Sequence, residues 1–112
     1  MSNTGEPNSR KCIQLENTLS IISGRWTLLI LRELSSGTKR FAQLQKSLKG
    51  ISPRTLSSRL QELEKNKIVV KKVYPEVPPR VEYSLSSQCE GLIKILRDLS
   101  EWAAEHFEHG KE

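Results

Sequence analysis

The spacing of the apolar residues changes twice along this chain, and these changes are the strongest constraint on its fold. From Ile13 to Leu63 the apolar positions recur with the spacing of amphipathic helices. Over about residues 68–85 they become β-branched or alternate with polar residues, as in strands. The helical spacing then returns and continues to Phe107. These patterns predict a mainly α-helical protein with one small β-hairpin.

Four helices are predicted before the hairpin, and the fourth has the clearest start. Ser52 suits the N-cap, Pro53 suits the first helical position, and Ile51 can pack onto Leu56. We therefore expect this helix over about residues 52–65. Its predicted apolar stripe consists of Leu56, Leu60 and Leu63.

The order of these elements is typical of a winged helix-turn-helix. Lys49, Gly50 and Ile51 form the short turn before the fourth helix, which in this arrangement enters the DNA major groove. The hairpin over about residues 68–85 is the predicted wing. The last helix is expected over about residues 87–109. Residues 1–11 are polar and predict a flexible arm, so residues 12–112 form a single domain.

Candidate DNA contacts lie on the fourth helix, on the wing and before the third helix. At 100° per residue, Thr55 and Ser58 point away from the apolar stripe, between Arg54 and Arg59. Arginine can bind guanine O6 and N7 with two hydrogen bonds, whereas serine and threonine are less selective. The full predicted set is Lys39, Arg40, Ser52, Pro53, Arg54, Thr55, Ser58, Arg59, Lys71, Lys72 and Arg80.

The charge distribution also points to a polyanionic partner. The chain carries a net charge of +5, and residues 25–85 hold 13 basic against five acidic residues. Residues 86–112 hold three basic against six acidic residues. A basic middle followed by an acidic end favours double-stranded DNA as the partner, although an ordinary basic surface has the same composition.

Several other classes of protein are disfavoured. The longest apolar run, residues 28–31, is far too short to span a membrane, and no signal peptide precedes it. Cys12 and Cys89 lie too far apart in sequence for a zinc motif or a disulfide scaffold. We therefore expect a reduced, cytoplasmic protein with no cofactor and no metal.

Catalysis is not predicted either. The six glycines are scattered and form no phosphate-binding loop. His106 and His109 lie in the acidic C-terminal segment, where a solvated helix end explains them better than a weak metal site. The chain is therefore not expected to be an enzyme.

Several motifs, in order, resemble the HxlR-type transcriptional regulators. They are residues 21–31 (IISGRWTLLIL), 40–44 (RFAQL), 50–64 and 77–85 (VPPRVEYSL), with a cysteine before the first helix. The likeness covers roughly residues 12–103. It implies a bacterial, dimeric winged-helix regulator related to the MarR group, whose first and last helices form the dimer interface. The chain departs from the family at Cys89, where glycine is common.

A dimer also fits the residues themselves, because the last helix is richer in apolar side chains than so small a domain can cover. The predicted interface residues are Ile13, Leu19, Leu92, Leu96, Leu99 and Trp102. Two recognition helices would then lie about one DNA turn, ~34 Å, apart on a near-palindromic operator.

Cys12 is the one residue that resembles a signal input. Arg10, Lys11 and a nearby helix N-terminus favour its thiolate, which is what sensing of oxidants or electrophiles requires. In several members of the family it resembles, a cysteine at this position is such a sensor. The alternative is a small side chain packed at the dimer interface, and packing is also the interpretation of Cys89.

Three functions are consistent with these patterns. The favoured one is a sequence-specific transcriptional regulator acting as a homodimer. A non-specific architectural DNA-binding protein would show no preference for an operator. A winged-helix protein-interaction module would have a neutral or acidic recognition helix, whereas residues 52–59 carry two arginines and no acid.

Overall fold

The computed structural model describes residues 9–107 as five α-helices and a three-stranded antiparallel sheet. In chain order the elements are α1 (Arg10–Ile22), α2 (Arg25–Ser35), β1 (Lys39–Arg40), α3 (Phe41–Ser47), α4 (Pro53–Lys65), β2 (Val69–Tyr74), β3 (Arg80–Leu85) and α5 (Glu90–His106). A short 3₁₀ turn, Ser87–Cys89, precedes α5. The architecture confirms the predicted winged helix-turn-helix.

The first helix begins earlier than the sequence suggested. Ser9 is its N-cap, and the Ser9 hydroxyl accepts a hydrogen bond of 3.1 Å from the backbone N–H of Cys12. Arg10 and Lys11 therefore belong to α1, and the predicted arm over residues 1–11 ends too late. A serine cap followed by two cations carries no apolar signal, so periodicity placed the start at Ile13. Residues 1–8 lie outside the described residues.

The core lies where α2, α3, α4 and the base of the sheet meet. Ile30, Leu44 and Leu56 are completely buried, one from each of the three helices. Leu60 and Leu63 complete the predicted stripe of α4 and are buried as well. The three leucines are spaced for one helical face, so their burial decides which way α4 is turned.

The sheet has one more strand than expected. Its order is β1-β3-β2, with Lys39 opposite Tyr83 and Arg40 opposite Glu82. The two-residue β1 was not predicted because alternation cannot be recognised in so short a segment. The predicted hairpin is confirmed, with Val69 opposite Leu85 at its base and Tyr74 opposite Arg80 near its tip.

The chain leaves the sheet through a buried turn and continues into α5. The Ser86 N–H donates to the Ile68 carbonyl at 2.9 Å, which ties this turn to the base of the hairpin. The last helix runs over Glu90–His106, slightly shorter than the predicted 87–109, because residues 87–89 are 3₁₀. Residues 108–112 lie outside the described part of the chain.

Candidate nucleic-acid interface

The turn before α4 and its N-cap fix the start of this helix. Gly50 adopts φ of 93°, a left-handed conformation that suits glycine, and the Ile51 N–H closes the turn by donating to the Leu48 carbonyl. The Ser52 hydroxyl accepts from the Thr55 N–H at 3.0 Å and donates to the Thr55 Oγ1 at 2.9 Å. Ile51 and Leu56 are both buried and belong to the same core cluster. The hydroxyls of Ser52 and Thr55 are thus engaged with each other.

Three of the predicted polar side chains on α4 face solvent. Arg54, Ser58 and Arg59 are exposed, and Pro53 occupies the first helical position. Arg54 and Ser58 lie opposite the buried leucines, whereas Arg59 lies at the flank of the leucine face. Thr55 is half-buried. Arg59 lies 3.8 Å from the Glu62 carboxylate in a loose, solvent-exposed pair, which costs little to break. The exposed face can therefore present two guanidinium groups and a hydroxyl to DNA.

Lys39 and Arg40 lie on β1, immediately before α3. Arg40 is exposed, whereas Lys39 is half-buried beside Tyr83. The Arg40 N–H donates to the Gln43 Oε1 at 2.8 Å, which caps the start of α3. The pairing of β1 with β3 thus fixes both cations at the edge of the sheet, a position that the sequence did not reveal.

The two wing lysines lie on opposite faces of the hairpin. Successive strand residues alternate in direction, so Lys71 shares a face with Val69 and its cross-strand partner Tyr83. Lys72 shares the other face with Glu82. Lys71 and Lys72, grouped together in the sequence-based prediction, therefore have different surroundings. Only Lys72 is directly opposite a carboxylate.

Tyr83 connects the wing to the recognition helix. It packs partly against the core, and this burial raises the pKa of its phenol above the ordinary value of 10.0. The negative charge of Glu64 on α4 raises the pKa further. The phenol therefore remains neutral throughout the physiological range.

Arg80 is held within the wing. Its guanidinium carbon lies 3.9 Å from the centre of the Tyr74 ring, and Nη2 lies 3.3 Å from a Glu76 carboxylate oxygen. Its Nε lies 3.6 Å from Glu82 Oε2, close enough for an ion pair but beyond hydrogen-bonding distance. That buried Nε has no hydrogen-bond partner among residues 9–107. Of the predicted DNA contacts, Arg80 is thus the one already surrounded by protein groups.

The predicted dimer residues lie on α1 and α5, and four of the six are exposed. These four are Ile13, Leu19, Leu99 and Trp102. Leu92 and Leu96 are half-buried because their inner sides pack on the core of their own chain. The prediction missed two exposed apolar side chains, Leu15 on α1 and Ile95 on α5. Both follow the same helical spacing, which was the available signal.

Two apolar grooves run along α5. One, of about 370 Å³, separates α5 from α1 and is lined by Leu15, Leu19 and Ile95 among others. The other, of about 500 Å³, separates α5 from α2 and includes Leu28 and Ile93, with Arg32 and Arg97 among its lining residues. Leu99 lines both grooves. Within α5, Glu90–His106, no residue is fully buried.

The two cysteines have different environments, and both are free thiols. Cys12 is half-buried in the first turn of α1, next to the exposed Lys11. Cys89 is only 7% exposed, and its sulfur accepts a hydrogen bond of 3.4 Å from the Ser86 hydroxyl. Cys89 therefore packs inside the domain, as predicted, whereas Cys12 is accessible.

The end of α5 carries an aromatic cluster. The His106 ring stacks on Trp102 with a centroid separation of 4.5 Å, and its Nδ1 lies 2.9 Å from the Trp102 carbonyl oxygen. His109 is outside the described residues. Over residues 9–107, no group of three or more His, Cys, Asp or Glu side chains is arranged to hold a metal ion. In that same span no helix is long and apolar enough to cross a membrane.

A capped recognition helix behind a short turn, flanked by a wing, defines the winged helix-turn-helix class of transcriptional regulators. Residues 21–111 match the HxlR-like helix-turn-helix family, and the chain belongs to this family. The uncharacterised HTH-type transcriptional regulator YvaP of Bacillus subtilis (strain 168) is 41% identical over 97 residues, which cover 87% of this chain and 90% of YvaP.

Two structural relatives are redox-related. The reduced form of the transcriptional regulator YodB from B. subtilis has a TM-score of 0.81 and 35% identity, covering 89% of this chain and 98% of YodB. YodB has also been solved after diamide treatment. The redox regulator HypR in its reduced form has a TM-score of 0.77 and 36% identity, covering 82% of this chain and 91% of HypR. The chain is thus a transcriptional regulator of HxlR type.

The cap geometry leads to a prediction for Ser52. Ser52→Ala is expected to lower the free energy of unfolding by about 1 kcal/mol, because the Thr55 N–H loses its acceptor. Ser58→Ala, on the exposed face of the same helix, should change it by less than about 0.5 kcal/mol. Urea unfolding at one fixed protein concentration compares the two. Equal effects would show that the Ser52 hydroxyl does not cap α4.

Proposed function

We propose that this protein is a sequence-specific regulator that acts as a homodimer on a near-palindromic operator, with α4 of each protomer in the major groove. The observation that carries the proposal is the two-sided character of α4. Its leucines are buried in the core, while Arg54, Ser58 and Arg59 face outward. No acid lies between residues 52 and 59, so the start of the helix presents only groups that attract DNA.

The wing and β1 supply the second part of the interface. Lys71 is exposed and is not placed opposite a carboxylate in the strand register, so it is available to a phosphate. Arg40 is exposed beside the N-terminus of α3. Contacts of this kind neutralise phosphates and set the position of the protein, whereas base contacts from α4 give sequence preference.

A second copy of the chain accounts for the exposed apolar faces of α1 and α5. Within α1, Arg10–Ile22, only Ile22 is fully buried, and within α5, Glu90–His106, no residue is. Apolar faces of this extent mark interaction surfaces in small proteins. A two-fold axis through these helices would place the two recognition helices about one DNA turn, ~34 Å, apart.

Cys12 is the proposed signal input. It is half-buried, lies in the first turn of α1 and follows two cations, as reactive cysteines commonly do. The similarity to YodB, solved in reduced and diamide-treated forms, and to HypR, a redox regulator, supports this proposal. Because Cys12 lies on the proposed dimer helix, its oxidation would alter the separation of the two recognition helices.

Removal of the Arg54 side chain tests whether Arg54 contacts a base. Arg54→Ala is expected to cost about 1–3 kcal/mol of binding to the operator and much less on a shuffled duplex. The measurement is fluorescence anisotropy at one salt concentration, with the DNA upstream of its own gene beside a shuffled duplex.

Lys71→Ala is the control for Arg54→Ala. It should weaken binding to both duplexes equally and reduce the salt slope by about 0.9, the contribution of one phosphate contact. An unchanged ratio of operator to shuffled affinity in Arg54→Ala would remove Arg54 from the readout. A wild-type protein that does not distinguish the duplexes would be an architectural DNA-binding protein, and one that binds neither would be a protein-interaction module.

The homodimer is tested by placing a charge on the apolar face. Leu99→Glu should convert a dimer to a monomer in sedimentation experiments at micromolar concentration, because it would bury an unpaired carboxylate in the interface. Val77→Glu is the matched control, since Val77 is fully exposed in the wing and far from α1 and α5 in the sequence. A wild-type monomer, or a Leu99→Glu dimer, would contradict the proposed interface.

The signal is tested with reductant and then with diamide. Oxidation should change operator affinity at least about tenfold, or 1.4 kcal/mol, in wild type and in Cys89→Ser. It should have no effect in Cys12→Ser. An equal change in affinity on oxidation of wild type and Cys12→Ser would show that Cys12 is not the sensor. If the oxidant changed operator binding in none of the variants, the protein would still be a regulator and Cys12 would be a packing residue.

A further inference from the structure

The tip of the wing is organised around Arg80. The strand register places Tyr74 directly opposite Arg80, and the ring and the guanidinium stack at 3.9 Å. Lys72 also approaches the same ring, with Nζ 5.1 Å from its centre. The tip folds back toward this group, because the Glu76 N–H donates to the Tyr74 carbonyl at 2.8 Å. Tyr74 thus connects both strands through its ring and connects to the first residues of the tip through its backbone carbonyl.

The Arg80 guanidinium is paired with carboxylates of its own wing. Two carboxylates, Glu76 at 3.3 Å and Glu82 at 3.6 Å, lie within ion-pair distance of its guanidinium. The Arg80 side chain is only 29% exposed, whereas the Glu76 side chain is 51% exposed. A phosphate would have to compete with both carboxylates for a guanidinium that is mostly covered. Arg80 is therefore poorly placed to contact DNA directly.

We propose that Arg80 is a positioning residue of the wing instead of a phosphate contact. Its planar guanidinium holds Tyr74, Glu76 and Glu82 in one arrangement, so that the tip, with the fully exposed Val77 at its end, is presented in a fixed orientation. Its single positive charge also offsets part of the negative charge of Glu76 and Glu82, which would otherwise repel DNA. This inference rests on the proposed DNA-binding function and is an alternative to the predicted DNA contact of Arg80.

The chemistry of the arginine side chain makes the proposal specific. A guanidinium can stack on a ring while donating to carboxylates at its edge, and a lysine ammonium cannot do both. A phosphate contact, in contrast, depends mainly on positive charge and tolerates lysine. Replacing Arg80 by lysine therefore separates the two roles, because it keeps the charge and removes the stacked, bridging geometry.

The test measures binding of four variants to the operator and shuffled duplexes. Three are the single variants Arg80→Lys, Arg80→Gln and Tyr74→Leu, and the fourth combines Tyr74→Leu and Arg80→Gln. We expect both single Arg80 variants to lose about tenfold in affinity, a loss of 1.4 kcal/mol. The double variant should be no weaker than Arg80→Gln, because residues that act as one unit are not additive. Far-UV circular dichroism and sedimentation confirm that each variant is folded and assembled as the wild type is.

Three results would overturn the proposal. In the first, Arg80→Lys binds with wild-type affinity, while Arg80→Gln loses affinity and shows the same reduced salt slope as Lys71→Ala. Arg80 would then be a phosphate contact. Another is wild-type affinity in both Arg80 variants. The third is additive loss in the double variant. If the wild-type protein bound neither duplex, the proposed function itself would be refuted. Wild-type binding is therefore measured before that of any variant.

Discussion

Burial of the leucine face of α4 is the constraint on which the rest of the structure depends. Leu56, Leu60 and Leu63 are buried where α4 packs against α2 and the base of the sheet, and this burial fixes the rotation of α4 about its own axis. Because a helix has one orientation once one face is buried, the rest of its surface, with Arg54 on the opposite side and Arg59 at the flank, remains outward. The turn at Gly50 and the Ser52 cap then determine where the helix begins. The candidate interface is thus a consequence of core packing.

The polar groups near this interface divide into those engaged within the protein and those available to a partner. Ser52 and Thr55 bond to each other at the cap, and Arg80 is enclosed by a ring and two carboxylates. Arg54 and Lys71 are exposed and carry the proposed contacts. This division has a physical cause. A donor or charge that is partly removed from water raises the free energy of the folded state unless a nearby group pairs with it.

The other half of the molecule is organised by apolar surface that its own core does not cover. Leu99 lines both grooves beside α5, and the exposed side chains of α1 continue the same surface. A chain of 112 residues buries a limited share of its surface, so covering these helices with a second copy is an efficient way to stabilise them. In the proposed dimer, Cys12 on α1 would link a change at this interface to the spacing of the recognition helices.

The sequence by itself determined the five helices and the hairpin, the start of α4, its buried leucines and its exposed arginines, because all of these follow from apolar spacing and capping along the chain. It missed β1, placed the start of α1 too late, and grouped Lys71 with Lys72 although the strand register separates them. Only the tertiary structure placed Arg80 against Tyr74, since this ring lies on the neighbouring strand. Periodicity reports which face of an element is apolar, whereas cross-strand pairing decides which charges meet.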